Sequence, residues 1–363
     1  MIYTYYFLYL AEYAVFGQFA FLTISCVFRI VCYNYMYNKF ELIRVMIMKV
    51  NIPKGFKIGH YNDDFTGVTV MLSEKGAVGG CDCRGGAPGT RETDLLRPEK
   101  MMDKVNAVVL SGGSAYGLAA SCGVMEYLRN KGVGYRSFGK VVPIVCGAVL
   151  YDLNQKEYHY PTAEFGVKAC ENADKTLSFG NIGAGKGATV GKIRGIKNAC
   201  KSGIGAATVK VAGVSVTAIV AVNAMGDVID TQTGEIIAGA KGKNGEFINT
   251  EKVMANGEIM KLLLGTNTTI GCILTDAKID KVQANKLASI SHNGLARAIR
   301  PVHTDYDGDT MFCLASGHRP VLNFAMLQSA AVEATEQAII NAARQGVDYT
   351  VLFDDSDDGW ECE

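Results

Sequence analysis

Neither sign of charge prevails in this chain of 363 residues: 36 lysines and arginines face 36 aspartates and glutamates, and no basic cluster stands out. Binding to phosphate backbones draws on a basic excess, so nucleic acid is not expected as a partner. A disulfide framework is missing as well. The 11 cysteines stand singly apart from Cys81-Asp82-Cys83, an odd number without regular spacing, which fits buried thiols in a reduced, cytoplasmic protein. Cys-X-Cys with no matching pair downstream is not a zinc signature. Cofactor fingerprints also fall short. Gly112, Gly113 and Gly117 do not have dinucleotide spacing, and Gly187-Ala188-Thr189-Val190-Gly191-Lys192-Ile193 puts isoleucine where a phosphate loop needs its magnesium-binding hydroxyl. Asp307-Gly308-Asp309 lacks the further oxygen ligands of a calcium loop. No cofactor and no metal is expected. Neither an internal repeat nor a low-complexity linker divides residues 48–350.

What is present describes a turn-rich α/β protein: 48% hydrophobic residues, 20% charged, and 41 glycines. Residues 1–46 differ from the rest. Tyr3 to Phe28 is almost uniformly apolar and aromatic, interrupted by Glu12 and Gln18, and Arg29, Lys39 and Arg44 follow. That length matches a bilayer span, and the basic flank would leave the remainder in the cytoplasm. The alternative is a start at Met46 or Met48, with the leading segment being upstream sequence. A secretory signal is disfavoured, since no basic region precedes the apolar run. The expectation is one domain over 47–350, a hydrophobic leader that is either a membrane anchor or spurious, and a solvated acidic tail over 351–363.

From Met48 onward, strands and helices alternate. Val68, Val70 and Leu72 alternate as a strand entered through a turn. The loop Gly85 to Asp94 carries Arg91 among glycines, which suits either a surface turn or a backbone that approaches a ligand. Val105–Leu110 reads as a buried strand, and Ser111-Gly112-Gly113-Ser114-Ala115-Tyr116-Gly117 leads from it into a helix ending near Lys131. Such a turn either packs helix on strand or offers free N–H groups to an anion. Val141 to Asp152 reads as one strand ending in Tyr151, a residue that is either half-buried core or a donor to an oxyanion. Helix is expected over 164–175, and strands over 204–211 and 214–222, the second ending in Asn223. Residues 240–263 have the composition of a mobile connector. Helices follow over 278–299 and 323–344, with the strand Met311–Ser316 between them.

One stretch stands apart. Asn267-Thr268-Thr269 opens the β-branched run Ile270 to Ala277. Two hydroxyls at the mouth of a core strand are either turn chemistry or a nucleophile. A threonine hydroxyl needs a base, and its own α-amine serves if the chain is cut just before it. Attack by Thr268 on the Asn267 carbonyl, an N-to-O acyl shift and hydrolysis would free that amine.

Thr66-Gly67-Val68-Thr69, Gly86 to Asp94, Leu110 to Leu118, Gly187 to Lys192, Val222-Asn223-Ala224, Asn267-Thr268-Thr269 and Ala296 to Pro301 occur in this order. Together they resemble the L-aminopeptidase/D-Ala-esterase/amidase family, which includes β-peptidyl aminopeptidases and the 6-aminohexanoate-oligomer hydrolase. The resemblance runs from about 55 to 345. It implies an αββα sandwich like that of N-terminal-nucleophile hydrolases, self-cleaved into an α chain ending at Asn267 and a β chain starting at Thr268. A homo-oligomer, a tetramer of α/β protomers, is implied with it. By the same resemblance, Asn223 and Tyr151 support the oxyanion, Asp307 and Asp309 orient the nucleophile and its amine, and Lys192 stands near it. Lys186 departs from the pattern, where a small residue is expected. Arg91, Ser114 and Tyr116 are candidates for contact with a small peptide or amide substrate. The resulting expectation is an autoproteolytic aminopeptidase or amidohydrolase working through an acyl-enzyme on Thr268. Rival readings are an acyltransferase of the ornithine-acetyltransferase type and a non-catalytic binding protein.

Overall fold

The computed structural model describes residues 50–257 and 266–346. The expected leader, 1–46, and the acidic tail, 351–363, lie outside the described residues. Among the described residues no helix is long and apolar enough to cross a membrane.

The principal strands are β1 (Lys57–Asn62), β2 (Gly67–Cys83), β3 (Gly89–Arg91), β4 (Lys104–Ser111), β5 (Val145–Val149), β6 (Ile204–Val211), β7 (Val214–Asn223), β8 (Thr268–Ala277) and β9 (Thr310–Arg319). They hydrogen-bond in the order β6-β7-β8-β9-β2-β4-β5-β3, with β1 also on β2. The long β2 belongs to both halves. Residues 67–72 pair with β1 and β4, its register shifts between Leu72 and Ala77, and residues 78–83 pair with β9. A bulge of this kind bends and twists a strand, so one hydrogen-bonded ladder can supply two stacked layers.

Side-chain alternation shows the layering. Ile270, Cys272 and Leu274 of β8, with Phe312 and Leu314 of β9, face a core shared with Val108 and Leu110 of β4 and Cys146 and Ala148 of β5. The intervening residues face outward. Ile273, Met311, Cys313 and Ala315 pack under α4 (Lys281–Ala298) and α5 (Phe324–Gly346). Val68, Val70, Leu72, Ala107 and Val109 pack under α1 (Ala120–Asn130) and α2 (Ala163–Glu171). Helices, sheet, sheet and helices give the expected αββα order.

Local chemistry explains where the elements depart from the expected bounds. Helix α4 begins at Lys281 because Asp280 caps it: its carboxylate accepts the Gln283 N–H at 2.7 Å while the Gln283 side chain accepts the Asp280 N–H at 3.1 Å. The single strand expected over 141–152 is broken at Pro143, which has no N–H for a ladder. Residues 140–142 instead form a hairpin with 135–137, and β5 covers only Val145–Val149. The connector expected over 240–263 is anchored through most of its described length. Buried Asp227 accepts the Ala240 N–H at 2.9 Å and the Thr250 N–H and hydroxyl at 2.6 and 2.8 Å, at the start of α3 (Thr250–Ala255). A buried carboxylate needs such donors, and this need overrides the weak periodicity. Residues 258–265 lie outside the described residues.

Candidate active site

Antiparallel pairing of β7 with β8 sets Asn223 directly opposite Thr268. On the other side, β9 runs parallel to β8, and Asn267 bridges to Asp307 just before it. Thr268 therefore opens a central strand between two strand ends that carry the other candidate groups. It is 4% exposed.

The peptide bond between Asn267 and Thr268 is the focus. The Thr268 hydroxyl donates to the Asn267 carbonyl oxygen, which also accepts the Gly308 N–H at 3.0 Å. The hydroxyl thus lies against the carbonyl that it would attack, and a main-chain donor already faces the oxygen where negative charge would develop. The sequence reading passed over Gly308 as the middle of a failed calcium loop; a backbone donor leaves no side-chain signature.

Asn223 is wholly committed. Its Nδ2 donates to the carbonyls of Tyr151 at 2.8 Å and Thr266 at 3.2 Å. Its Oδ1 accepts the Thr189 N–H at 3.0 Å and Lys192 Nζ at 2.8 Å. Lys192 Nζ also reaches the Asn223 and Thr266 carbonyls at 2.9 and 3.1 Å. The 187–192 loop is held there by N–H groups of Gly191 and Lys192 on the carbonyls of Gly226 and Met225. In this uncut chain Asn223 and Lys192 hold the Thr266 carbonyl, one residue before the expected oxyanion.

Burial pushes the Lys192 ammonium down to about 7, with the negative charges of Asp307 and Asp152 opposing the shift. Between about pH 7 and its ordinary value of 10.5, the unfolded chain binds the proton that the folded chain has released. Stability therefore rises with pH across that window, and the penalty is fully present below it. Lys192→Met should flatten this slope, as read from urea midpoints between about pH 7 and 9; an unchanged slope would contradict the assignment.

The acid pair bonds groups that neighbour Thr268. Asp309 Oδ1 accepts the Thr269 N–H at 2.7 Å, and Asp307 accepts from Thr304 and, at 3.4 Å, from the Met225 N–H. Neither carboxylate has a hydrogen bond to Thr268. The Thr268 nitrogen is still an amide here, so there is no ammonium for them to pair with. Burial, and then the neighbouring Asp309 charge, raise Asp307 to about 6.

Tyr151 lies two residues past β5 and meets Asn223 through its main-chain carbonyl. Burial raises its phenol above the ordinary value, with Tyr158 and Asp152 adding to the shift, so the phenol stays protonated. Asp152 is a further buried group, not singled out from sequence. It accepts the Gly113 N–H at 2.6 Å and the Thr66 hydroxyl at 2.7 Å, and a Cβ on Gly112 or Gly187 would collide with its carboxylate. Burial raises it to about 6. This carboxylate holds the Ser111-Gly112-Gly113 turn through the Gly113 N–H and packs directly against Gly112 and Gly187, which explains glycine at both positions.

The substrate candidates stand outside this network. Arg91 rests on the sulfurs of Cys122 and Met125 of α1 at 3.3 and 2.9 Å. Ser114 donates its N–H to Leu150, and Tyr116 is an exposed ring stacked on Tyr160 at 4.9 Å. The Lys186 carbonyl accepts from Lys201 Nζ. Among the described residues no cluster of three His, Cys, Asp or Glu side chains is placed to hold a metal ion.

A family model, peptidase family S58, matches residues 50–352. The chain belongs to peptidase family S58. An uncharacterized aminopeptidase of Mycobacterium leprae is 41% identical over 313 residues, 80% of each chain. A 6-aminohexanoate-oligomer endohydrolase of Paenarthrobacter ureafaciens is 30% identical over 279 residues, 74% of this chain and 75% of the relative. Among solved structures, the L-aminopeptidase D-Ala-esterase/amidase of Ochrobactrum anthropi, a variant of the N-terminal-nucleophile hydrolase fold, superposes with a TM-score of 0.60. It is 18% identical over 80% of this chain and 85% of its own. The S58 chain is accordingly a hydrolase of the aminopeptidase and amidohydrolase type, and the sandwich expected from sequence is the fold of this family.

Proposed function

We propose that this S58 chain matures by cutting itself between Asn267 and Thr268, and that Thr268 is then the nucleophile toward short peptides and amides. The observation that carries the reading is the Thr268 hydroxyl on the Asn267 carbonyl, with the Gly308 N–H on the same oxygen. In the first step Thr268 Oγ1 attacks the Asn267 carbonyl carbon, and the Thr268 nitrogen leaves as an amine. Water hydrolyses the resulting ester, freeing the Asn267 carboxylate and the Thr268 hydroxyl. The free amine then takes the hydroxyl proton during attack on a substrate carbonyl and passes a proton to the departing amine, and water hydrolyses the acyl ester left on Thr268, releasing the acid product and restoring the hydroxyl.

Withdrawal of the cut end would leave three donors facing the vacated space. Gly308 N–H loses the Asn267 carbonyl, and Asn223 Nδ2 and Lys192 Nζ lose the Thr266 carbonyl. These groups would receive the substrate's carbonyl oxygens, with Asn223 and Gly308 at the oxyanion. The Tyr151 phenol serves as an additional donor, and Asp307 and Asp309 steady the new ammonium. Ser114, Tyr116 and Arg91 remain proposed substrate contacts. A tetrameric assembly in a reducing cytoplasm completes the reading; the thiols of Cys81, Cys83 and Cys122, for example, are free.

The test is the intact mass of the purified chain under denaturing conditions, with N-terminal sequencing. A fragment running from Thr268 to Glu363, and hydrolysis of aminoacyl amides by the cut protein, are expected. A single uncut chain without amidase activity would refute the reading.

A further inference from the structure

Two imidazoles, His292 buried and His303 half-buried, take no part in the mechanism above. His303 has left-handed backbone, φ 58°, a region that non-glycine residues enter rarely and that marks a constrained site. Asp309 is what its two donors converge on. The His303 main-chain N–H donates to Asp309 Oδ2 at 3.1 Å, and ring Nδ1 lies 2.8 Å from the same oxygen. The other carboxylate oxygen holds the Thr269 N–H. Thr304 repeats the device on Asp307, donating both its N–H and its hydroxyl to Oδ2. Consecutive residues thus each chelate one member of the acid pair.

The hydrogen positions follow from the partners. An ionised carboxylate only accepts, so His303 Nδ1 carries the hydrogen. His292 Nε2 lies 3.0 Å from the Asp82 carbonyl, so that nitrogen carries the hydrogen of His292. The two rings meet edge to face with centroids 4.8 Å apart, and the remaining nitrogens, His303 Nε2 and His292 Nδ1, are buried without hydrogen-bond partners. The His303 ring therefore directs its one bonded nitrogen at Asp309.

We propose that His303 is a positioning residue for the S58 reaction, acting through Asp309. The inference rests on Thr268 being the nucleophile. Asp309 directly follows Gly308, and its carboxylate ties the 307–309 turn to β8 one residue past Thr268. With the ring removed, one side of that carboxylate keeps only a main-chain donor. The carboxylate can then rotate, and the Gly308 N–H shifts off the carbonyl it supports. Misplacement by about 1 Å is enough to lower a rate roughly 10²-fold.

His303→Ala, His303→Asn and His303→Gln would be compared with the unaltered chain. The readouts are conversion to the Thr268 fragment by intact mass, steady-state hydrolysis of an aminoacyl p-nitroanilide, and thermal unfolding. Asparagine tolerates positive φ and places an N–H close to the histidine Nδ1 position, whereas glutamine carries its amide one methylene too far. His303→Ala should slow self-cleavage and lower kcat roughly 10- to 100-fold with KM little changed. His303→Asn should restore most of the rate, and His303→Gln should not. Wild-type rates in His303→Ala, or equal rates in the Asn and Gln variants, would overturn the proposal and leave the Thr268 assignment standing. If His303→Ala fails to fold, the Asn and Gln comparison decides alone. An unaltered chain that stays uncut and inactive would overturn both.

Discussion

Replacing Thr268 with alanine should leave the chain in one piece and without amidase activity. The hydroxyl that alanine lacks is the group lying on the Asn267 carbonyl. Asn267 is 2% exposed and lies in a bridge to Asp307, so bulk water has little access as a substitute nucleophile. Loss of a catalytic nucleophile commonly lowers rates by 10³-fold or more, so cleavage during purification should fall to nothing measurable, at least about 10³-fold below the unaltered chain. The fold should survive. Alanine keeps the Cβ, and the lost hydrogen bond is worth about 1 kcal/mol. Thr268→Ser keeps the hydroxyl and should still mature. Intact mass, with circular dichroism as the folding control, reads both variants. Cleavage of Thr268→Ala between residues 267 and 268 would mean that another group is the nucleophile.

Gly308→Ala should be nearly as damaging although it removes nothing. A Cβ at this position would stand 2.6 Å from the Ala87 carbonyl oxygen and 2.8 Å from Thr268 Oγ1. Ala87 cannot retreat freely, because its N–H is bonded to the Asp307 carbonyl at 2.9 Å and that of Gly86 to Thr304 at 3.2 Å. The nucleophile or the Gly308 N–H must therefore move. Overpacking of this kind costs about 1–3 kcal/mol of stability. The larger effect falls on rate, since both the attacking oxygen and the oxyanion donor are displaced. Maturation should slow by roughly 10²-fold, followed as the decay of precursor mass with time. Maturation at the wild-type rate would show that this close approach has no part in the cleavage.

Much of this molecule is local in origin and therefore legible along the chain. Alternating residues in β2, the apolar runs of β7 and β8, and hydroxyls at the mouth of an apolar strand each follow from short-range geometry or hydrogen bonding. Ordered motifs from Thr66 to Pro301 carried the family resemblance, and with it the sandwich. What tertiary structure decided is which groups face which. Strand register across β7, β8 and β9 sets Asn223 and Gly308 on either side of Thr268, and register depends on pairings between residues far apart in sequence. Main-chain donors and acceptors, such as the Gly308 N–H and the Tyr151 carbonyl, have no residue type to announce them. Asp152 and Asp227 gained their importance only through burial, which compels a polar side chain to find partners and so ties distant loops together, and His303 gained its own through contact with the buried Asp309.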